Sequence, residues 1–141
     1  LSDAPVTFSH SNAKSLYDHP RNLADDQISH CAERDGVIGL NGHPAFIKAG
    51  TAAPSLDDYV AHVDTMVDKA GIDHVGIGLD FSHPPGHQMP PSRYAKLIAQ
   101  GVFTTGTLPP PPWHYPIGDA RRIADLTEAL TRRGWREKDL R

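Results

Sequence analysis

Nine histidines beside a single cysteine put imidazole chemistry ahead of thiol chemistry in this 141-residue chain. Three polar side chains fall where short apolar runs stop: His10 after Pro5–Ser9, Asn41 after Gly36–Leu40 and Asp80 after His74–Leu79. If these runs are parallel strands, their carboxyl ends share one rim, where α/β enzymes place functional groups. Neighbouring strands lie about 4.8 Å apart. His10 and Asp80, read as closing adjacent strands, therefore suit a metal site or an acid–base pair. The same positions also suit any polar residue that ends a strand. Arg21 lies in the loop after His10, within Asp18-His-Pro-Arg-Asn22, where Pro20 stiffens the approach. Its planar fork fits a carboxylate, and equally a helix end.

The remaining histidines carry weaker signals. His62-x-Asp64 has a metal-pair look, but inside a helix positions i and i+2 point apart, so a structural role is expected. His83 and His87 have helical ligand spacing, yet Pro84, Pro85 and Gly86 between them prevent that helix. His43, close to the end of the second strand, is a candidate for touching a ligand. His74 opens its strand and belongs to the opposite, stabilising end, and His30 and His114 read as surface or packing residues. Cys31, on the apolar face of a helix, reads as inert. There is no Walker loop, Gly-x-Ser-x-Gly, His-Glu-x-x-His or full dinucleotide fingerprint.

These candidates need a scaffold, and the patterning supplies one. Asp25–Arg34 reads as a helix with Ile28, Cys31 and Ala32 on one face. The clearest element follows Ser55, where Leu56, Tyr59, Val60, Val63, Met66, Val67 and Ala70 form a helical stripe. Ser55 is its N-cap and Gly71 its stop. The alternation of apolar residues with glycine over His74–Leu79 predicts a strand that lets a neighbouring backbone come close. Arg93–Gln100 reads as a short helix and Asp119–Arg133 as a final one, followed by the start of another element at Trp135. The prolines of 84–91 and 109–116 impose loops and stiff, polyproline-like chain.

Strand and helix thus alternate three times, which implies parallel strands with crossover helices. Three strands make a thin sheet whose edges need cover. A full eight-stranded α/β barrel takes about 250 residues, so residues 1–141 read as a single partial domain of a larger barrel. In that state Val75, Ile77 and Leu79 are expected to be partly uncovered. Fourteen basic against seventeen acidic residues, interspersed, leave no basic stripe, so nucleic acid is not an expected partner. No apolar run is long enough to span a membrane, and no signal peptide opens the chain.

Several phrases in combination resemble the membrane (renal) dipeptidase family, the M19 metallopeptidases. They are Pro5-Val-Thr-Phe-Ser-His-Ser11, His19-Pro-Arg-Asn-Leu23, Gly36-Val-Ile-Gly-Leu40, the Gly71–Phe81 run and Gly134-Trp-Arg-Glu-Lys-Asp-Leu140. The resemblance covers nearly the whole chain and only the family's C-terminal portion. It implies the C-terminal part of a TIM-like (β/α)8 barrel that holds two zinc ions (Zn2+). On the matching positions, His10 falls on the last histidine ligand of one zinc, Arg21 on the residue gripping the substrate's terminal carboxylate, and Asp80 on the catalytic aspartate. The remaining ligands precede this sequence, so the implied partners are a small dipeptide and the missing N-terminal half of the barrel. A homo-oligomer is a further way to cover the thin sheet. The 141 residues alone are then expected to be inactive. Phe81-Ser-His-Pro84 departs from the family's usual Phe-Asp-Gly, and the Pro-rich loops look longer than in the mammalian enzymes. Two other readings stay open: a non-catalytic barrel fragment or binding module, and another amidohydrolase-like hydrolase.

Overall fold

The computed structural model describes residues 4–50, 52–80, 89–101 and 112–140. His83, His87, Phe81–Pro84, most of the 84–91 loop and Leu108–Pro111 lie outside the described residues. The elements run β1 (Thr7–Ser11), α1 (Asp25–Ala32), β2 (Val37–Leu40), α2 (Leu56–Ala70), β3 (Val75–Ile77), α3 (Pro91–Ala99) and α4 (Ile123–Arg132). The strands form one parallel sheet in the order β1-β2-β3, as the alternation predicts. Single 3-10 turns at Pro44–Phe46, Ile72–His74, Ala120–Arg122 and Glu137–Asp139 punctuate the connections.

Local chemistry explains the longest helix. Ser55 Oγ accepts from the Asp58 amide (3.1 Å), while the Asp58 carboxylate accepts from the Ser55 amide (2.7 Å). This reciprocal cap satisfies donors that the first turn leaves open. Gly71, at φ +84, ends α2 in a conformation that other residues resist. The stripe of α2 buries Tyr59, Val60, Val63 and Met66 against Ile38 and Leu40 of β2 and Ile28 of α1. Leu126, Ala129 and Leu130 of α4 join the same core. Tyr59 is fully buried, so its hydroxyl needs a partner, and it donates to the Leu40 carbonyl at 3.2 Å. Trp135 Nε1 donates to Asp64 on α2 at 2.9 Å, tying the residues after α4 to the core.

His62 is structural, as its position in α2 predicts. Its Nδ1 accepts from the Ala13 amide (3.1 Å), so its Nε2–H is the donor to the Ile47 carbonyl (2.8 Å). One buried imidazole thus joins the two loops that follow β1 and β2. His74, at the opposite end of the sheet, bonds the Gly36 carbonyl at 2.8 Å. Cys31 is buried beside the Val6 carbonyl, and burial pushes its thiol pKa up.

β1 differs from the sequence expectation in a way that matters. It runs to Ser11, so His10 stands inside the strand rather than after it. Phe8 is in register with Ile38 and Ser11 with Leu40, so β1 spends one more residue than β2 between those pairs. Such a bulge re-aims side chains, and bulges concentrate at barrel rims and active sites. The bulge also turns the Ser9 carbonyl over the sheet. A Cβ on Gly39 would lie 2.4 Å from that oxygen, and one on Gly78 only 2.1 Å. The glycines of both apolar runs therefore make room for the bulge.

At the sheet's open side, Ile77 is 51% exposed and Val75 half-buried, but Leu79 is buried, contrary to expectation. Among the described residues, no helix is long and apolar enough to cross a membrane.

Candidate functional site

His10, Arg21 and Asp80 come together. β1 and β3 are not neighbours, because β2 lies between them, so their axes stand about 10 Å apart. The expectation of adjacent strands is thus corrected. The side chains nevertheless close the distance, with His10 Nε2 at 4.0 Å from Asp80 Oδ2. Asp80 follows β3 at φ +55, a left-handed conformation that aspartate tolerates better than most residues. Both side chains of the pair are over a third exposed, so this contact adds little to stability.

Arg21 arrives from the loop after β1. Its Nη2 lies 3.1 Å from His10 Nε2. Arginine only donates, so Nε2 accepts, and the ring proton sits on Nδ1, which bonds Ser9 Oγ at 2.7 Å. This tautomer puts the Nε2 lone pair on the side a metal-ligating histidine would use, and in this structure the Arg21 guanidinium occupies it. The donor set is otherwise incomplete, since among the described residues no three His, Cys, Asp or Glu side chains converge to hold a metal. His10 can contribute one donor atom to a metal site, and such a site needs others.

Arg21 is itself held from two sides. Its amide donates to His19 Nδ1 (3.1 Å), and its guanidinium carbon lies 5.2 Å above the ring of Phe46. His19 in turn rests against Phe46, with ring centroids 5.0 Å apart. Three buried asparagines lock these loops. Asn12 Nδ2 donates to the Asn41 carbonyl (3.0 Å), and Asn41 Oδ1 accepts from the His43 amide (2.7 Å). Asn22 Nδ2 donates to the Phe46 carbonyl at 2.9 Å. Asn41 was expected on the rim as a third functional group. It is buried, and its work is to shape the turn that carries His43 and Phe46.

The sequence reading missed the aromatic side of the site. His43 packs against Phe46 (5.0 Å), Trp113 (4.8 Å) and Tyr115 (5.2 Å). Burial, with the positive charge of Arg21 adding to it, pushes the His43 pKa down to about 4, so the ring is neutral at pH 7. Burial and then the negative charge of Asp80 push the Tyr115 pKa up to about 12. The available signal was the Trp113-His-Tyr115 triplet next to the prolines, where chain stiffness presents aromatic rings to one neighbour. His114 is exposed.

With fold and site in place, comparison defines the class: residues 1–101 match the model of the membrane dipeptidase family, peptidase family M19. The chain belongs to that family. It is 37% identical over 113 residues to an uncharacterized dipeptidase of Schizosaccharomyces pombe, covering 74% of this chain and 28% of that protein. An amidohydrolase from Pseudomonas aeruginosa superposes with a TM-score of 0.80 at 28% identity, over 98% of this chain and 42% of the other. A metallopeptidase from Rhodobacter sphaeroides, liganded with a phosphinate mimic of the dipeptide L-Ala-D-Ala, superposes with a TM-score of 0.68 at 29% identity. That match covers 100% of this chain and 33% of the other. The chain therefore spans about a quarter of the length of the curated relatives it matches.

Proposed function

We propose that this chain serves a zinc-dependent dipeptidase, supplying the C-terminal part of a TIM-like barrel and of its active site. The observation that carries this reading is the convergence of Arg21, His10 and Asp80 from three separate segments. The Rhodobacter relative, which holds a dipeptide mimic, supports it.

In this reading the Arg21 fork takes the substrate's terminal carboxylate, prepositioned by the His19 bond to its backbone and by the Phe46 ring. Consecutive Cα atoms are about 3.8 Å apart. Anchoring the carboxylate beside Asp80 therefore brings the last peptide bond, and no earlier one, to the acid–base group. Asp80 receives the proton of the attacking water and passes it to the leaving amine. With the Arg21 guanidinium turned to the substrate carboxylate, His10 Nε2 is released as one ligand, oriented by Ser9, and the other ligands come from outside these residues. When bound, zinc supplies Lewis-acid polarisation of the scissile carbonyl and lowers the pKa of water.

The test is metal analysis alongside a dipeptide assay on the full-length protein. Asp80→Asn should abolish turnover and keep the metal, and His10→Ala should lose one zinc. An active Asp80→Asn contradicts the proton-transfer role, and undiminished metal in His10→Ala contradicts the ligand role. Residues 1–141 by themselves should bind zinc weakly and turn over no dipeptide, because a catalytic zinc usually takes three protein ligands. Stoichiometric zinc with turnover in that piece contradicts the shared-site reading.

A further inference from the structure

We propose that the site selects dipeptides whose carboxyl-side residue carries a large apolar side chain, and that Tyr115 is the residue that reads it. This rests on the reading of Arg21 as the carboxylate anchor. Six side chains follow one another around a circle of contacts. Asp80 lies 4.0 Å from His10, and His10 lies 3.1 Å from Arg21. Beyond Arg21, the guanidinium covers Phe46, Phe46 meets His43 at 5.0 Å, and His43 meets Tyr115 at 5.2 Å with rings nearly perpendicular. A backbone staple closes the circle, since the Gly42 amide donates to the Leu79 carbonyl at 3.1 Å. It joins the residue before His43 to the residue before Asp80.

The circle is thus charged on one half and aromatic on the other. A carboxylate held by Arg21 places the adjoining Cα, and the side chain it bears, between the two halves. Directed at the charged half, a side chain strips water from Asp80 and His10. Directed at the aromatic half, an aliphatic or aromatic side chain buries apolar area against Tyr115. Its ring is half-buried, so part of it remains open to a ligand. A carboxylate side chain there loses its hydration without gaining a partner, because Arg21 is committed to the terminal carboxylate and the negative charge of Asp80 repels it. Trp113 braces the wall from behind: it is buried, 4.8 Å from His43 and 6.4 Å from Tyr94 of α3. The neutrality of both His43 and Tyr115 at pH 7 accords with an apolar guest.

The experiment compares kcat/KM for Ala-Leu, Ala-Gly, Ala-Asp and Ala-Lys in the full-length protein and its Tyr115 variants. The unaltered protein should favour Ala-Leu over Ala-Gly by roughly 10–100-fold, the discrimination an apolar pocket achieves. It should disfavour Ala-Asp at least as strongly as Ala-Gly, and Ala-Lys less than Ala-Asp. Tyr115→Ala should shrink the Leu/Gly ratio to within about threefold, mainly through KM, since the lost contact is made equally in ground and transition states. Tyr115→Phe should keep the ratio, because the ring rather than the hydroxyl makes the contact. Tyr115→Gln, of closer volume, tests the same point if Tyr115→Ala does not fold. A ratio that survives loss of the ring, or an unaltered protein without preference, overturns this inference alone. Failure to cleave any of the four dipeptides overturns the dipeptidase reading itself.

Discussion

Gly78→Ala is the sharpest structural test of how the site is built, because Gly76→Ala provides a control two residues earlier. A Cβ on Gly78 would sit 2.1 Å from the Ser9 carbonyl oxygen, whereas on Gly76 its nearest neighbour is Val37 Cγ1 at 3.8 Å. Even favourable C···O contacts in sheets lie at about 3.3 Å or more. The Ser9 carbonyl must therefore withdraw by about 1 Å, and it is backbone within a bulge, not a flexible side chain. Overpacking of this kind costs about 1–3 kcal/mol. Gly76→Ala meets only ordinary contact and reduces unfolded-state entropy, a gain of about 0.5 kcal/mol. The two variants should differ by about 2–3 kcal/mol, which shifts a urea midpoint by about 1 M. Because the displaced carbonyl belongs to the residue before His10, Gly78→Ala should also lower metal content while Gly76→Ala retains it. Equal midpoints for the two variants refute the claim that the bulge governs these glycine positions.

His62→Ala removes both the acceptor for Ala13 and the donor to Ile47 from a buried place. It should cost about 3 kcal/mol in equilibrium unfolding, and a loss below 1 kcal/mol contradicts the bridging role. Acid should destabilise the fold through His43, whose imidazole takes a proton in the fold only at about 4 but near 6.5 when unfolded. Stability should be full above pH 6.5 and fall by roughly 3 kcal/mol as pH drops towards 4. His43→Asn should flatten that limb of the urea-midpoint profile, and an unchanged profile contradicts the assignment. Trp135→Phe keeps an aromatic ring but loses the bond to Asp64, so it should cost about 1 kcal/mol or more by the same measurement.

What the sequence made legible was local. The α2 stripe, its Ser55 cap and its Gly71 stop depend on neighbours a few residues apart, and the helix runs where they place it. His62 was readable as structural because helical geometry alone parts it from Asp64. The family phrases led to His10, Arg21 and Asp80, and the structure brings all three together. What escaped depends on distant partners. The bulge of β1 arises where the Ser9 carbonyl meets glycines 30 and 69 residues away, so a strand ending at Ser9 was the natural local reading. Asn41 has the same residue type whether it faces a rim or closes a buried network with Asn12, and only packing decides. The aromatic half of the site joins His43 and Phe46 to Trp113 and Tyr115 across some 70 residues, and no periodicity announces such a meeting. α4 begins at Ile123 rather than Asp119, because Asp119 caps a 3-10 turn through the Arg121 amide first.

The central claim is that Arg21 holds a substrate carboxylate beside an acid–base aspartate. It is tested most directly by comparing kcat/KM for a dipeptide and its C-terminal amide in the full-length protein and in Arg21→Ala. A charge-assisted contact contributes about 2–4 kcal/mol, so the unaltered protein should prefer the free acid by roughly 30–1,000-fold. In Arg21→Ala that preference should collapse to near unity, with the acid slowed to the rate of the amide. An Arg21→Ala variant that cleaves the free acid as efficiently as the unaltered protein contradicts the account.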